Sequence, residues 1–143
     1  MEMRTFGRCG LQLSVLGFGC GAVGGLMVRG DPADQERAVA RALEAGVNYF
    51  DTAALYGDGE SERNLGRLVK KLRPANAIIG TKVRLNTFDL GQIRAEVSSS
   101  LEASLQRLGL DRVDIFYLHN PITVTETAES LSSRQVLEEV ISA

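Results

Sequence analysis

The sequence is short of the features that mark several protein classes. Cysteine occurs only at Cys9 and Cys20, which form no close metal-ligand pair and are too few for a disulfide framework. Histidine occurs once, as His119. No apolar run approaches the roughly 18 residues that would span a bilayer, so no membrane segment is expected. The first residues, MEMRT, lack the apolar stretch of a secretory signal. Long runs of like charge are also missing, which argues against a disordered chain. Lys and Arg (16) do not outnumber Asp and Glu (18), and the formal net charge is −2. Nucleic-acid binding, which needs a concentrated basic surface, is therefore not expected. These absences lead to the expectation of a soluble protein in a reducing compartment, with the cytoplasm as the default location.

What remains is 143 residues, 44% of them hydrophobic, enough for one domain with a sizeable core. Four β-rich runs, at 15–19, 47–51, 77–83 and 113–119, recur at nearly even spacing. The last three hold β-branched and aromatic residues in series, as strands buried on both faces do. Helical patterns follow each run. The first opens at Asp31-Pro32, an N-cap with proline at the next position, and closes at Gly46. The second follows Gly59 and ends before Pro74, with Leu65, Leu68, Val69 and Leu72 on one face. The third starts near Asp89, where Gln92 completes a capping-box pattern, and draws a stripe through Ile93, Val97, Leu101, Leu105 and Leu108 to Gly109. A fourth is expected from Ser132, with Val136, Leu137, Val140 and Ile141 inward. Alternating strands and helices specify βα units and a parallel sheet. A small hairpin at about 3–13, turning at Gly7 to Gly10, precedes them. The units fall at about 15–46, 47–73, 77–109 and 113–143, without a linker between them.

The loop after the first run admits two readings. Gly19, Gly21 and Gly24 match GxGxxG directly after a strand, the pattern with which a Rossmann dinucleotide-binding module turns against a pyrophosphate. Asp51, ending the next strand, would then bind ribose. Against this, Gly25 and Gly30 continue the break, the helix signal comes only at Asp31-Pro32, and Asp51 lies farther along than the expected ~20 residues. A flexible loop over a site is the simpler reading.

Three polar residues occupy corresponding places in successive units. Asp51 ends the second strand, Lys82 lies near the end of the third, and His119 ends the fourth. Ligands bind at this C-terminal edge in parallel α/β folds. Tyr56, in the loop after Asp51, can reach the same edge. Taken singly, Asp51 is also a turn former, Lys82 a snorkelling side chain, Tyr56 a loop aromatic and His119 a satisfied corner residue. Together their chemistry fits. A phenol is a weak acid; a neighbouring ammonium stabilises the phenolate, and a carboxylate fixes the ammonium. Asp51, Lys82 and Tyr56 thus suit Tyr56 to general acid–base work, while His119 can donate a hydrogen bond to a substrate carbonyl. No side chain here supplies hydride.

These residues lie in runs that resemble the aldo-keto reductases. GVNYFDTAALYG at 46–57 resembles that family's second-strand signature, and SERNLG at 61–66 resembles its continuation. Thr81-Lys82 resembles the third-strand lysine, and LGLDRVDIFYLH at 108–119 the segment that leads to the family's histidine. The opening hairpin and LGFG at 16–19 fit as well. The resemblance implies a (β/α)8 TIM-type barrel that reduces an aldehyde or ketone to an alcohol, or runs the reverse reaction, with NADPH, NADH being the alternative. It also implies roles: Tyr56 as proton donor, Lys82 and Asp51 as its support, His119 as positioner of the carbonyl. Cys20, Gly21 and Asp51 are implied cofactor contacts, and Tyr56, His119 and Asn120 substrate contacts. No metal is implied. Asn120-Pro121 after the histidine departs from the commoner histidine-tryptophan or histidine-aspartate pairs and bears on substrate choice.

A complete barrel of this type needs ~250 residues and eight strands, and the resemblance covers its first four βα units. An open four-stranded sheet leaves two unpaired edges. The expectation is a truncated reductase of weak or no activity by itself. The other readings are a chain that pairs with a missing C-terminal half or with a copy of itself, and a non-catalytic fragment that binds a partner.

Overall fold

Strand residues alternate between a face that packs on helices and a face that does not, and this alternation sorts the core from the polar groups. In the computed structural model, which describes residues 1–86, 89–121, 138 and 141, the order of elements is as follows. A hairpin, β1 (Met3–Thr5) and β2 (Gln12–Ser14), comes first; β3 (Phe18–Gly19), α1 (Leu26–Arg29) and α2 (Pro32–Glu44) follow. Then come β4 (Tyr49–Asp51), α3 (Glu60–Leu72), β5 (Ile78–Val83), α4 (Leu90–Leu108) and β6 (Ile115–Leu118). β3 to β6 form one parallel sheet in the order β3-β4-β5-β6. Strand order equals chain order, as in the wall of a barrel. A Rossmann sheet would reverse direction after its first strand.

Phe50 and Ile79 belong to a core cluster with Met27, Val39, Leu65 and Leu68 of the helices. Val83, with Phe116 and Leu118, packs on Ile93 and Val97 of α4. The intervening residues Tyr49, Asp51, Gly80, Lys82 and Tyr117 therefore stand on the opposite face, the interior side of a barrel. The hairpin is tied to the other end of the sheet. Asn48, just before β4, accepts from Ser14 N at 2.7 Å and donates through Nδ2 to Gln12 O at 2.8 Å.

Helix ends follow the expected chemistry, with differences. Asp31 accepts from Ala33 N at 2.8 Å, with Pro32 at the first helical position. Asp89 accepts from Gly91 N at 2.9 Å, but Gln92 donates to the Asp89 carboxylate and not to its backbone. β3 is shorter than the run 15–19, because Val15 and Leu16 are 50% and 61% exposed, with nothing to pack on. The glycine loop is broken by α1, a single turn that starts directly after Gly25. Four residues between glycines carry too little pattern to be read as a helix. On α4, Ser104 is buried while Leu101 and Leu105 are half-buried; Ser104 Oγ accepts from Arg107 Nη2 at 3.1 Å, which satisfies its hydroxyl inside. Of the fourth expected helix, Glu138 and Ile141 are helical. Ile141, expected inward, is 85% exposed and belongs to neither core cluster; the rest of that stretch lies outside the described residues. No helix among the described residues is long and apolar enough to cross a membrane.

α3 and α4 meet at Gly66. A Cβ there would stand 2.0 Å from the Leu108 carbonyl oxygen. Alanine is ordinarily the better helix former by ~1 kcal/mol, so the close contact decides the sign. Gly66→Ala is expected to lower the unfolding free energy by about 1–3 kcal/mol, the usual cost of overpacking, as read by urea denaturation. Gly91→Ala, whose Cβ would meet only the Asp89 carboxylate at 3.3 Å, is the control and is expected to be near neutral. A gain in stability for Gly66→Ala would show that the two helices do not pack this closely.

Candidate active site

The parallel register sets the site. Asp51 pairs with Gly80 across β4 and β5, so Lys82 lies one same-face step beyond it. Lys82 Nζ reaches back to donate to Asp51 Oδ1 at 2.5 Å and to Thr52 O at 2.8 Å. It also donates to the Tyr56 hydroxyl at 3.1 Å. An ammonium has three donors, and all three are used. The Lys82 side chain is 13% exposed, a position that an unpaired charge would hold only at high cost. Because Tyr56 accepts from the lysine, its own O–H is left to donate elsewhere.

His119 follows β6, and its backbone N donates to Val83 O at 2.7 Å. Its ring stands edge-on to Tyr56, with centroids 5.7 Å apart and planes at 85°. Burial lowers the imidazole's pKa below its ordinary 6.5, and the Lys82 and Arg84 charges add to this against the opposing pull of Asp51. His119 Nδ1 is buried with no hydrogen-bond partner among the described residues. The structure thus brings Asp51, Tyr56, Lys82 and His119 together at one strand-end edge.

Other expected contacts are placed differently. Gly21 lies beside the phenol: a Cβ there would be 3.8 Å from Tyr56 Cζ. Cys20 is fully buried within the core cluster, where burial and then the Asp51 charge push its thiol up to about 12. Its amide donates to Asp51 O at 2.8 Å and its carbonyl accepts from Ser61 Oγ at 2.8 Å. The Cys20 side chain is thus held in the core, and its backbone joins β4 to α3. Asn120 holds the backbone of Leu85 at two points, accepting from Leu85 N at 2.9 Å and donating to Leu85 O at 3.0 Å. It pins the segment after β5 instead of presenting its amide at the strand ends. Asp51 accepts from Lys82 on one oxygen and from Tyr49 on the other.

Two residues at the site were not singled out from the sequence. The Tyr49 hydroxyl donates to Asp51 Oδ2 at 3.0 Å and lies 3.0 Å from the Tyr117 hydroxyl. Burial, the Tyr117 hydrogen bond and the Asp51 charge all raise the Tyr49 pKa, so it stays a protonated donor. Only a period of two gave notice of this, since residues 49 and 51 share a strand face. Behind the sheet, Thr81 donates to the fully buried Glu62 at 2.6 Å, and Arg107 Nε pairs with the same carboxylate at 2.5 Å. The segment SERNLG thus holds β5 from the helix side.

His119 is the only histidine, so a single imidazole resonance reports it. Its NMR titration is expected to have a midpoint below 6.5. The sign for stability follows: the unfolded chain takes up a proton that the folded chain resists, so acidification through that range destabilises the fold. A midpoint at or above 6.5 would contradict the buried placement of the ring.

The comparisons with known proteins agree with this geometry. The model of the Aldo/keto reductase family matches residues 15–143. The chain is 37% identical over 127 residues to L-galactose dehydrogenase of Arabidopsis thaliana, covering 84% of this chain and 38% of that protein. It is 30% identical over 136 residues to a probable voltage-gated potassium channel subunit beta of Oryza sativa subsp. japonica, covering 92% of this chain and 41% of that protein. The chain thus spans about two fifths of the length of these curated relatives. An aldo-keto reductase from Klebsiella pneumoniae, solved in complex with NADPH, superposes with a TM-score of 0.68 at 25% identity, over 99% of this chain and 45% of that one. On the family match, the sheet order and the strand-end residues together, the chain belongs to the aldo/keto reductase family.

Proposed function

We propose that the protein carrying this chain reduces an aldehyde or ketone with NADPH, or catalyses the reverse oxidation, with Tyr56 as the proton donor. One observation carries the reading: Lys82 spends its three donors on Asp51, Thr52 and Tyr56 and leaves the phenol proton free. The Klebsiella pneumoniae neighbour, solved with NADPH, supports the choice of cofactor.

The residues present fit the nicotinamide end of such a cofactor. Gly21 leaves bare backbone beside Tyr56, where a Cβ would meet only the phenol ring, and a Cβ at Gly19 would meet nothing within 4 Å. Gly21 and Asp51 are the residues of this part that would hold the nicotinamide ring. When bound, the dihydronicotinamide supplies the hydride. The protein's part is acid–base. As negative charge develops on the carbonyl oxygen, Tyr56 gives up its O–H proton to it. The phenolate left behind sits 3.1 Å from the Lys82 ammonium, which stabilises it. Asp51 keeps that ammonium charged and in place. His119, kept neutral by its lowered pKa, donates an imidazole N–H to orient the same oxygen. In the oxidative direction the proton returns to Tyr56 from the alcohol.

The test follows NADPH oxidation with a panel of aldehydes, comparing the protein with its Tyr56→Phe variant. Phenylalanine keeps the ring against His119 and removes the hydroxyl, with its proton and one of the Lys82 acceptors. Turnover is expected to fall ~10²–10⁴-fold, the usual share of general acid catalysis, with cofactor binding retained by fluorescence titration. Unchanged turnover would remove Tyr56 from the chemistry. It would favour the partner-binding reading, which the likeness to a channel subunit supports.

A further inference from the structure

All three tyrosines of the chain lie in one hydrogen-bonded line. From Tyr117 the line passes to Tyr49, then to Asp51 Oδ2, and through Asp51 Oδ1 and Lys82 to Tyr56. The acid–base role of Tyr56 uses only its second half. We propose that Tyr49 is a positioning residue of this site, locking the rotation of the Asp51 carboxylate, and that Tyr117 acts only by holding Tyr49. This rests on the reading of Tyr56 as the acid.

A carboxylate with one oxygen bound can still swing about its Cβ–Cγ bond. Here Lys82 takes Oδ1 and Tyr49 takes Oδ2, so the plane is fixed from both sides. Without the Tyr49 hydroxyl, Oδ2 competes for the Lys82 donors, and the ammonium is drawn off the phenol. The backbone makes room for this tyrosine. A Cβ on Gly17 would stand 2.8 Å from Tyr49 Cδ1, and one on Gly80 2.9 Å from the Tyr49 hydroxyl. Gly80 within β5 and Gly17 directly before β3 thus leave the space through which the ring and hydroxyl pass. Were apolar packing its whole purpose, a smaller residue would spare β5 the glycine at 80, which costs entropy in a strand interior. Tyr117 closes the line from β6, where it pairs with Lys82 in the sheet register. Its hydroxyl is one of the groups that keep Tyr49 protonated.

Tyr49→Phe preserves the ring and tests the hydroxyl alone. It is expected to lower kcat about tenfold, the scale of one hydrogen bond to a charged group, with KM and the melting temperature little changed. Tyr117→Phe is expected to have a smaller effect. In the Tyr49→Phe background it is expected to have none, since its only route is through Tyr49; this is the double-mutant signature of a relay. Unchanged kcat in Tyr49→Phe, or multiplying effects in the double variant, would overturn the proposal. So would a loss confined to melting temperature. If Tyr56→Phe abolishes turnover while Tyr49→Phe does not alter it, only this inference fails. If Tyr56→Phe leaves turnover unchanged, the acid–base reading itself is lost.

Discussion

A lysine ammonium set into a mostly buried strand end must be fully paired, and the arrangement of the site follows from that requirement. Lys82 has three donors and finds three acceptors, each from a different source: a strand-end carboxylate, the carbonyl after it, and a phenol from the following turn. Removing any one would leave a buried donor unmet, at a cost of about 1–3 kcal/mol or more for a charged group. The same pairing sets the chemistry. Since Tyr56 is an acceptor towards the lysine, it can be a donor only towards a third group, and the open side of the site is where that group must lie.

The outer layer carries a matching constraint. Thr81, next to Lys82, faces the helices and is tied to Glu62, whose carboxylate is fully buried and held by Arg107. Breaking a buried ion pair by removing one partner typically costs about 3–5 kcal/mol, so α3, α4 and β5 are coupled through this group. Thr52 is likewise bonded to Ser61, which donates on to the Cys20 carbonyl. Residues of alternate parity on β5 thus serve two purposes: 79, 81 and 83 join the strand to the helices, while 80 and 82 build the site. A slip of one residue in register would exchange the two sets.

The strong signals in the sequence were those that act locally. Asp31-Pro32 and Asp89 start helices through their own side chains, and the β-branched runs at 77–83 and 113–119 need no distant partner to be read as strands. Asp51, Lys82 and His119 were legible because strand ends favour apolar residues and these break the rule. Tyr49 and Tyr117 were not, since a tyrosine in a strand is an ordinary strand former; only the register places their hydroxyls 3.0 Å apart. Asn120 and Cys20 show what position alone leaves out. Position beside the histidine and in the glycine loop marked them as contacts, whereas the fold uses one to pin Leu85 and buries the other. A resemblance assigns a residue to a neighbourhood, and hydrogen-bond accounting decides what its polar atoms are free to do.

That accounting also explains why the acid–base group can be complete within a part of the barrel. Among the described residues, the hydrogen bond from Lys82 to the Tyr56 hydroxyl and the ring contact with His119 come from β5 and the segment after β6, and β4, β5 and β6 pair as chain neighbours. The geometry therefore depends on two adjacent strand pairings and on the helices behind them, not on closure of the whole wall. Binding a long dinucleotide is a different demand, because its far end must be met many ångströms from the phenol. The glycine-rich turn after β3 leads into α1, a helix of only four residues. On the proposed reading, proton transfer and cofactor anchoring are separate demands on this fold, and the group around Lys82 answers to the first.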